Sequence, residues 1–477
     1  MDGTVTKERL SFPTPLATSC RMRDAPGTID LADGLPVPQR YWAVLASGLA
    51  VLMAVLDGAI ANVALPSIAQ DLNVSPASSI WVVNAYQLAV TISLLPMASL
   101  GEIYGYQKIY RFGLALFTVA SLLCALSDSL LTLTLARIIQ GFGASGILAV
   151  NTAMVRTIYP RAMLGRGIGF NAMIVAFSSA AGPTIAAGIL SAASWPWLFA
   201  VNLPIGVLAL TIGAFTLPAS PPNPRAFDWP SAGLNALTFG LLVFSVDGVA
   251  HGEGHLAIGL ELAGAVGFGV VLVLRQLARP APLLPIDLLR IPLFALSALT
   301  SLCSFTGFTL AYLSMPFYFQ MVLHRSEVAT GLLMTPWPLT VMLIAPVAGR
   351  LADRYPVGVL STIGLVVFAL GLTSLALLPS APSNLDLMWR MSLSGAGFAL
   401  FQSPNNRAMV TAAPRVRSGA AAGLLSTCRT LGQTMGAALV ALMFTLRPDD
   451  NTHAALELSV CVAVFAAVIS CTRLSKK

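Results

Sequence analysis

Runs of about 20 mostly apolar residues, the length that crosses a bilayer's hydrocarbon core, recur along the whole chain. Fourteen are read, at 41–64, 79–100, 109–128, 130–154, 167–191, 197–218, 230–249, 256–274, 293–315, 330–350, 357–378, 387–411, 418–445 and 454–472. Backbone in lipid must satisfy its own N–H and C=O groups, so such runs are expected as helices. Of the 477 residues, 56% are hydrophobic and 10% are charged. A soluble domain carries roughly 25% charge, so this chain cannot cover a water-facing surface. The reading is an all-α integral membrane protein whose main partner is the lipid bilayer.

A net charge of +7 could suggest nucleic acid, but the basic residues form no single face. They sit in short loops, where they read as a topology signal. With the N-terminus inside, 22 of the 27 Lys and Arg fall on the inner side. Arg325 and Arg447 fall outside; Arg137, Arg390 and Arg429 fall within spans. Both termini are therefore expected in the cytoplasm. Residues 1–40 read as a disordered cytoplasmic tail, because they lack an apolar core of signal-peptide length. The six cysteines form no CxxC pair, and the four histidines are scattered. No metal site is indicated. There is no GxxxxGK[ST] loop, so ATP drive and any other cofactor are not indicated, and an ion gradient remains as the energy source.

The chain also repeats itself. Gly141, Gly143, Asn151, Pro160, Arg161 and Gly165 return 254 residues later as Gly395, Gly397, Asn405, Pro414, Arg415 and Gly419. Two copies of a long apolar unit are the signature of a carrier that rocks one half against the other. Spans 1–6 form one copy, spans 9–14 the other, and spans 7 and 8 an insert without a counterpart. The expected domains are a tail over 1–40, a six-helix bundle over 41–218, a two-helix insert with its loops over 219–292, and a second bundle with a short tail over 293–477. An even number of spans separates equivalent helices, so the two bundles run parallel.

Four motif regions bear on function. The first is Leu56-Asp57-Gly58-Ala59-Ile60-Ala61-Asn62-Val63-Ala64-Leu65-Pro66, followed by Trp81 and Tyr86. The second is the loop after span 2, with Glu102, and its copy Gly349-Arg350-Leu351-Ala352-Asp353-Arg354. The third is Arg137-Ile138-Ile139-Gln140-Gly141-Phe142-Gly143. The fourth is Gly182-Pro183-Thr184-Ile185-Ala186-Ala187-Gly188, continued by Trp195-Pro196-Trp197-Leu198-Phe199, Asn202 and Pro204. Over roughly 40–450 the chain resembles the major facilitator superfamily, in its fourteen-helix drug:proton antiporter branch, with methyl viologen and quaternary ammonium exporters as the nearest type. The resemblance implies that the loop motif latches the inner face through acid–base pairs. Ile103 stands where that motif has Arg, which puts a standard first-copy latch in doubt.

Physical chemistry constrains the same residues. Asp57 is expected about eight residues, roughly 12 Å, inside the outer end of its span. A carboxylate at that depth needs water, a partner or a proton. Desolvation favours a protonated carboxyl in general, and a nearby cation favours the charged one. Asp57 is thus either a proton-coupling site or a structural pin. Arg137 is expected at the same depth, with Gln140 one turn on along the same face. Arg137 either tunes the acid or anchors backbone carbonyls. Asn62, Asn84, Tyr86 and Arg429 are candidate cavity residues. Arg429 has no acid in the second-copy spans as a ready partner, and could meet a substrate anion, a carbonyl or an acid across the cavity. Gly182, Pro183 and Gly188 are expected to kink their span and pack it closely. Asp247 and Glu261 read as groups solvated at the interface.

Together these readings give a proton-coupled exporter of amphipathic or cationic drugs across the bacterial inner membrane. An exporter of one metabolite is the alternative. A membrane-embedded enzyme would need a catalytic cluster at one face, which the scattered histidines do not offer. The sequence leaves the oligomeric state open, with a monomer plausible.

Overall fold

The computed structural model describes residues 34–220, 222–223, 226–250, 254–279, 284–379, 381–414 and 418–473. Most of the expected N-terminal tail lies outside the described residues, as do Arg225, Arg415 and Arg417. Among the described residues every regular element is helical. The long helices are α1 Gln39–Asp71, α2 Trp81–Tyr104, α3 Tyr106–Ala125, α4 Leu130–Ile158, α5 Leu164–Leu190, α6 Asn202–Thr216, α7 Trp229–Ala250, α8 His255–Leu277, α9 Pro292–Phe317, α10 Pro336–Leu351, α11 Val357–Ala376, α12 Asn384–Ala412, α13 Ser418–Leu446 and α14 Asn451–Thr472. Short helices Pro76–Ser79, Pro196–Ala200 and Glu327–Met334 lead into α2, α6 and α10.

Local chemistry sets the breaks. Ser129 caps α4 in a reciprocal capping box with Thr132, which satisfies two orphan donors at that terminus. Gly105 separates α2 from α3 at φ +98°, and a Cβ there would lie 2.9 Å from the Ser220 carbonyl oxygen. A side chain there would be strained twice over.

Twelve described helices or helix pairs are long and apolar enough to cross a membrane, where fourteen runs were expected. The two that fall short are α12 and α13, each 29 residues and so long enough. Their polar residues lower the apolar average. Several of those residues face protein: Asn405, Thr427, Thr430 and Thr434 are buried. α1 is also longer than its apolar run, at 33 residues. Asp57 therefore lies near the middle of α1, deeper than the sequence suggested.

The repeat is visible in the packing. In the first copy α3 packs on α4, α2 on α4, α1 on α5, α1 on α6 and α3 on α6. The same pairings recur as α11 on α12, α10 on α12, α9 on α13, α9 on α14 and α11 on α14. The repeated glycines are the contact points. A Cβ on Gly143 would lie 2.5 Å from the Phe117 nitrogen, and one on Gly397 would strike the Phe368 nitrogen. Gly141 and Gly395 likewise abut the carbonyls of Tyr86 and Trp337. Small residues let these helix backbones touch, which is how helices associate where lipid removes the hydrophobic drive. In the insert, α7 and α8 pack on each other, and α7 also packs on α2 and α13. Asp247, expected at the interface, instead accepts a 2.9 Å hydrogen bond from Trp81 Nε1.

The copies meet where α1, α5 and α9 end. An apolar core there joins Leu56, Ile60 and Val63 to Leu310, Phe317, Ala437 and Phe444. Ser67 donates to Glu327, Gln320 Nε2 donates to the Val63 carbonyl at 3.2 Å, and Thr184 and Thr335 pair at 2.8 Å.

Arg473, read from the sequence as a tail charge, is buried. It donates to Ser297 Oγ (3.0 Å), Asn405 Oδ1 (2.7 Å) and Ser470 Oγ (2.7 Å). Asn405 donates in turn to Ser301 Oγ at 2.9 Å and to the Ser297 carbonyl at 3.1 Å. Asn405 thus pins α9, α12 and α14 together. Asn405→Ala is expected to cost about 1–3 kcal/mol, since it orphans a buried charged donor. A thermal-unfolding midpoint unchanged from wild type would rule that role out.

Candidate functional site

The repeat does not extend to the polar centre of the molecule, which lies inside the first copy alone. Asp57 on α1 and Arg137 on α4 are 1% and 0% exposed and form an ion pair, Arg137 Nη1 to Asp57 Oδ2, at 2.5 Å. Asp57 Oδ1 accepts two further bonds, from Gln140 Nε2 at 2.9 Å and from Asn202 Nδ2 at 2.7 Å. Gln140 is held by both ends. Its Nε2 also donates to Ser121 Oγ at 2.9 Å, and its Oε1 accepts from Arg137 Nη1. Arg137 Nε donates to the Val82 carbonyl at 3.0 Å. Its Nη2 has no hydrogen-bond acceptor. The guanidinium instead lies over the rings of Tyr86, at 4.2 Å to the centroid, and Phe199, at 5.4 Å. A cation over a ring face is attracted by the ring quadrupole.

Five helices supply this cluster: α1 the acid, α4 the Arg and Gln, α3 Ser121, α6 Asn202, and α2 a carbonyl and Tyr86. Both carboxylate oxygens are engaged and no water-facing edge remains. A buried pair costs several kcal/mol per ion in desolvation and is tolerated only with such full hydrogen bonding. The arrangement can hold one proton in place of one ion pair. Arg137 keeps its charge in any such exchange.

The expected trio of Asp57, Arg137 and Gln140 is brought together. Asn202, Phe199, Ser121 and Val82 were not read as site residues. Asn202 and Phe199 did stand inside a flagged motif, so a signal for them was present. Two expectations about the cavity are corrected. Tyr86 and Asn84 are buried and so do not line open space. Tyr86 is taken up by Arg137 and by the Ala54 carbonyl, to which it donates at 3.3 Å. Asn62 and Arg429 do remain partly accessible.

The α5 motif divides. A Cβ on Gly182 would strike Ala59 Cβ on α1, so close packing holds there. Pro183, inside α5, presents its carbonyl to Gly331 of the second copy, and a Cβ on Gly331 would also lie 2.6 Å from Ala187 Cβ. Gly188 is corrected: it is exposed and has open space at its Cβ position, because its face of α5 turns away from both neighbours. Of the loop motifs, Asp353 forms an ion pair with Arg407 on α12, both well exposed. Gly349 approaches Ser403 Oγ, 3.4 Å from its Cβ position. Arg354 is exposed, and the Glu102 carbonyl accepts from the Asn223 N–H at 2.9 Å.

Comparison with known proteins places this geometry. Residues 48–437 match the Major Facilitator Superfamily. The chain is 56% identical over 449 residues to an uncharacterized transporter, YebQ of Escherichia coli K12, covering 93% of this chain and 98% of that one. It is 30% identical over 409 residues to the riboflavin transporter RibZ of Clostridioides difficile, covering 85% of this chain and 88% of the other. It is 29% identical over 411 residues to the multidrug efflux pump LfrA of Mycolicibacterium smegmatis, covering 86% and 82%. Among solved structures, a D-xylose–proton symporter superposes with a TM-score of 0.66 at 15% identity, over 90% of this chain and 97% of that one.

Proposed function

Because the chain belongs to the major facilitator superfamily and is a multi-pass membrane transporter, we propose that it is a proton-coupled efflux antiporter for amphipathic compounds. It works in the bacterial inner membrane with fourteen spans, two six-helix bundles and a two-helix insert, and both termini in the cytoplasm. Asp57 carries the proton, Arg137 and Gln140 set its two states, and Asn202 completes the set.

The observation that carries this reading is the sealed Asp57–Arg137 pair at mid-helix. Protonating Asp57 removes the counter-charge from a guanidinium that cannot give up its own proton. Gln140 and Asn202 lose a charged acceptor at the same moment. The ties from α1 to α4 and α6 then weaken together, so proton loading and helix movement are one event. In this reading the conformation with Asp57 paired to Arg137, closed where α1, α5 and α9 end, precedes proton loading. That is the state in which an exporter takes substrate from the cytoplasmic side. One relative's name, a multidrug efflux pump, supports the export of drugs; another's, a riboflavin transporter, supports a single-metabolite carrier as the second reading.

Everted vesicles with an acid lumen test the proposal. Accumulation of an amphipathic fluorescent substrate should follow the pH gradient and collapse when a protonophore is added. Accumulation indifferent to the protonophore would refute proton coupling. Resistance to a single compound class on expression would favour the second reading.

A further inference from the structure

We infer that the transported compound is a planar aromatic anion, received by Arg429 and Gln433 on α13 beside the aromatic cluster of the second copy. The inference deepens the export reading and rests on it. Cationic drugs were the expectation from Asp57, yet Asp57 is 1% exposed, with both oxygens taken by Arg137, Gln140 and Asn202. It offers nothing to a cation in this state. Arg429 is the opposite case. It lies midway along α13, is partly accessible, and has neither an acidic partner nor a hydrogen-bond acceptor among the described residues. Gln433 lies one turn further along the same face. It too is partly accessible and has no side-chain partner among the described residues.

A half-buried guanidinium inside a span, without a counter-ion, is costly unless a ligand supplies one. Guanidinium is also the group that binds carboxylate or sulfonate by two parallel hydrogen bonds. The neighbouring surface suits a flat ring. Gly432, between the two polar residues and one turn from Arg429, packs against Phe305. Phe305 meets Phe398 edge-on at 5.2 Å, and Phe398 stacks on Phe308 at 4.8 Å. Phe308 further contacts Tyr312 and Trp337. Of these rings Phe308 alone is only partly buried, and Trp337 Nε1 is a buried donor with no acceptor. The cluster thus has one accessible ring, that of Phe308.

The probes are pyrenebutyrate, its uncharged methyl ester, and a pyrenyl trimethylammonium of equal length. Purified wild-type protein should be stabilised thermally by the acid and much less by the ester or the ammonium. Everted vesicles should accumulate the acid about ten-fold over the ester, the size expected of one charge-assisted hydrogen-bond pair. Arg429→Gln should lose that preference, and Arg429→Lys should keep part of it. Wild-type stabilisation by the ammonium alone, or by all three probes equally, overturns the inference even if Arg429→Gln fails to fold. Retention of the full acid preference in Arg429→Gln overturns the assignment of Arg429. Stabilisation by the acid without gradient-driven accumulation refutes proton-coupled export and leaves the anion site standing.

Discussion

Asp57→Asn and Arg137→Gln should each lose about 3–5 kcal/mol of stability, because each leaves one buried partner uncompensated. In Asp57→Asn the surviving group is a guanidinium with 0% exposure that cannot deprotonate. In Arg137→Gln it is a carboxylate, which can bind a proton and so escapes part of the cost. The double variant Asp57→Asn/Arg137→Gln should recover most of the loss, since two amides can bond to each other and to Gln140. None of the three should move substrate against a gradient under a pH difference. Thermal unfolding in detergent and uptake into vesicles read the two effects separately. Single variants as stable as wild type, or uphill transport by Asp57→Asn, would sink the coupling assignment.

Gly331→Val should abolish most transport by acting on the seam and not on the site. Gly331 abuts the Pro183 carbonyl and Ala187, so two branched methyls cannot enter while the copies stay closed. Overpacking of this kind costs about 1–3 kcal/mol, which shifts a two-state equilibrium about 5- to 150-fold. The closed form seen here would give way to the form open at that end. Ser67→Cys, in a background without native cysteines, reports the change, because Ser67 lies in the same seam through Glu327. It should label faster with an impermeant maleimide once Gly331→Val is added. Unchanged labelling would show that the seam does not gate access. Gly188→Ala, on the open face of α5, should be silent in both assays.

Much of this site was legible beforehand for a physical reason. Lipid tolerates so few charges within spans that Asp57, Arg137 and Arg429 stand out by depth alone. Their pairing was not legible in the same way. Arg137 and Arg429 are both arginines within apolar spans, yet one is sealed by a carboxylate and the other has no counter-ion among the described residues. Helix rotation decides that difference, and an apolar run carries little information about rotation. Tyr86 shows the same limit: its position in α2 fitted a cavity wall, and packing against Arg137 made it part of the interior.

The sequence by itself determined the all-helical membrane architecture and the duplication, because hydrocarbon thickness and backbone hydrogen bonding leave few other solutions. The count of spans was less secure, since α12 and α13 carry polar residues that apolarity alone penalises. Tertiary structure explained several of them, Asn405, Thr427, Thr430 and Thr434, by burying them against neighbouring helices. It alone decided that Asn202 completes the Asp57 cluster, that Gly331 closes on Pro183, and that Arg429 has no counter-ion among the described residues. Those facts depend on which helix faces meet across distances of up to a few hundred residues, and no local pattern of side chains encodes them.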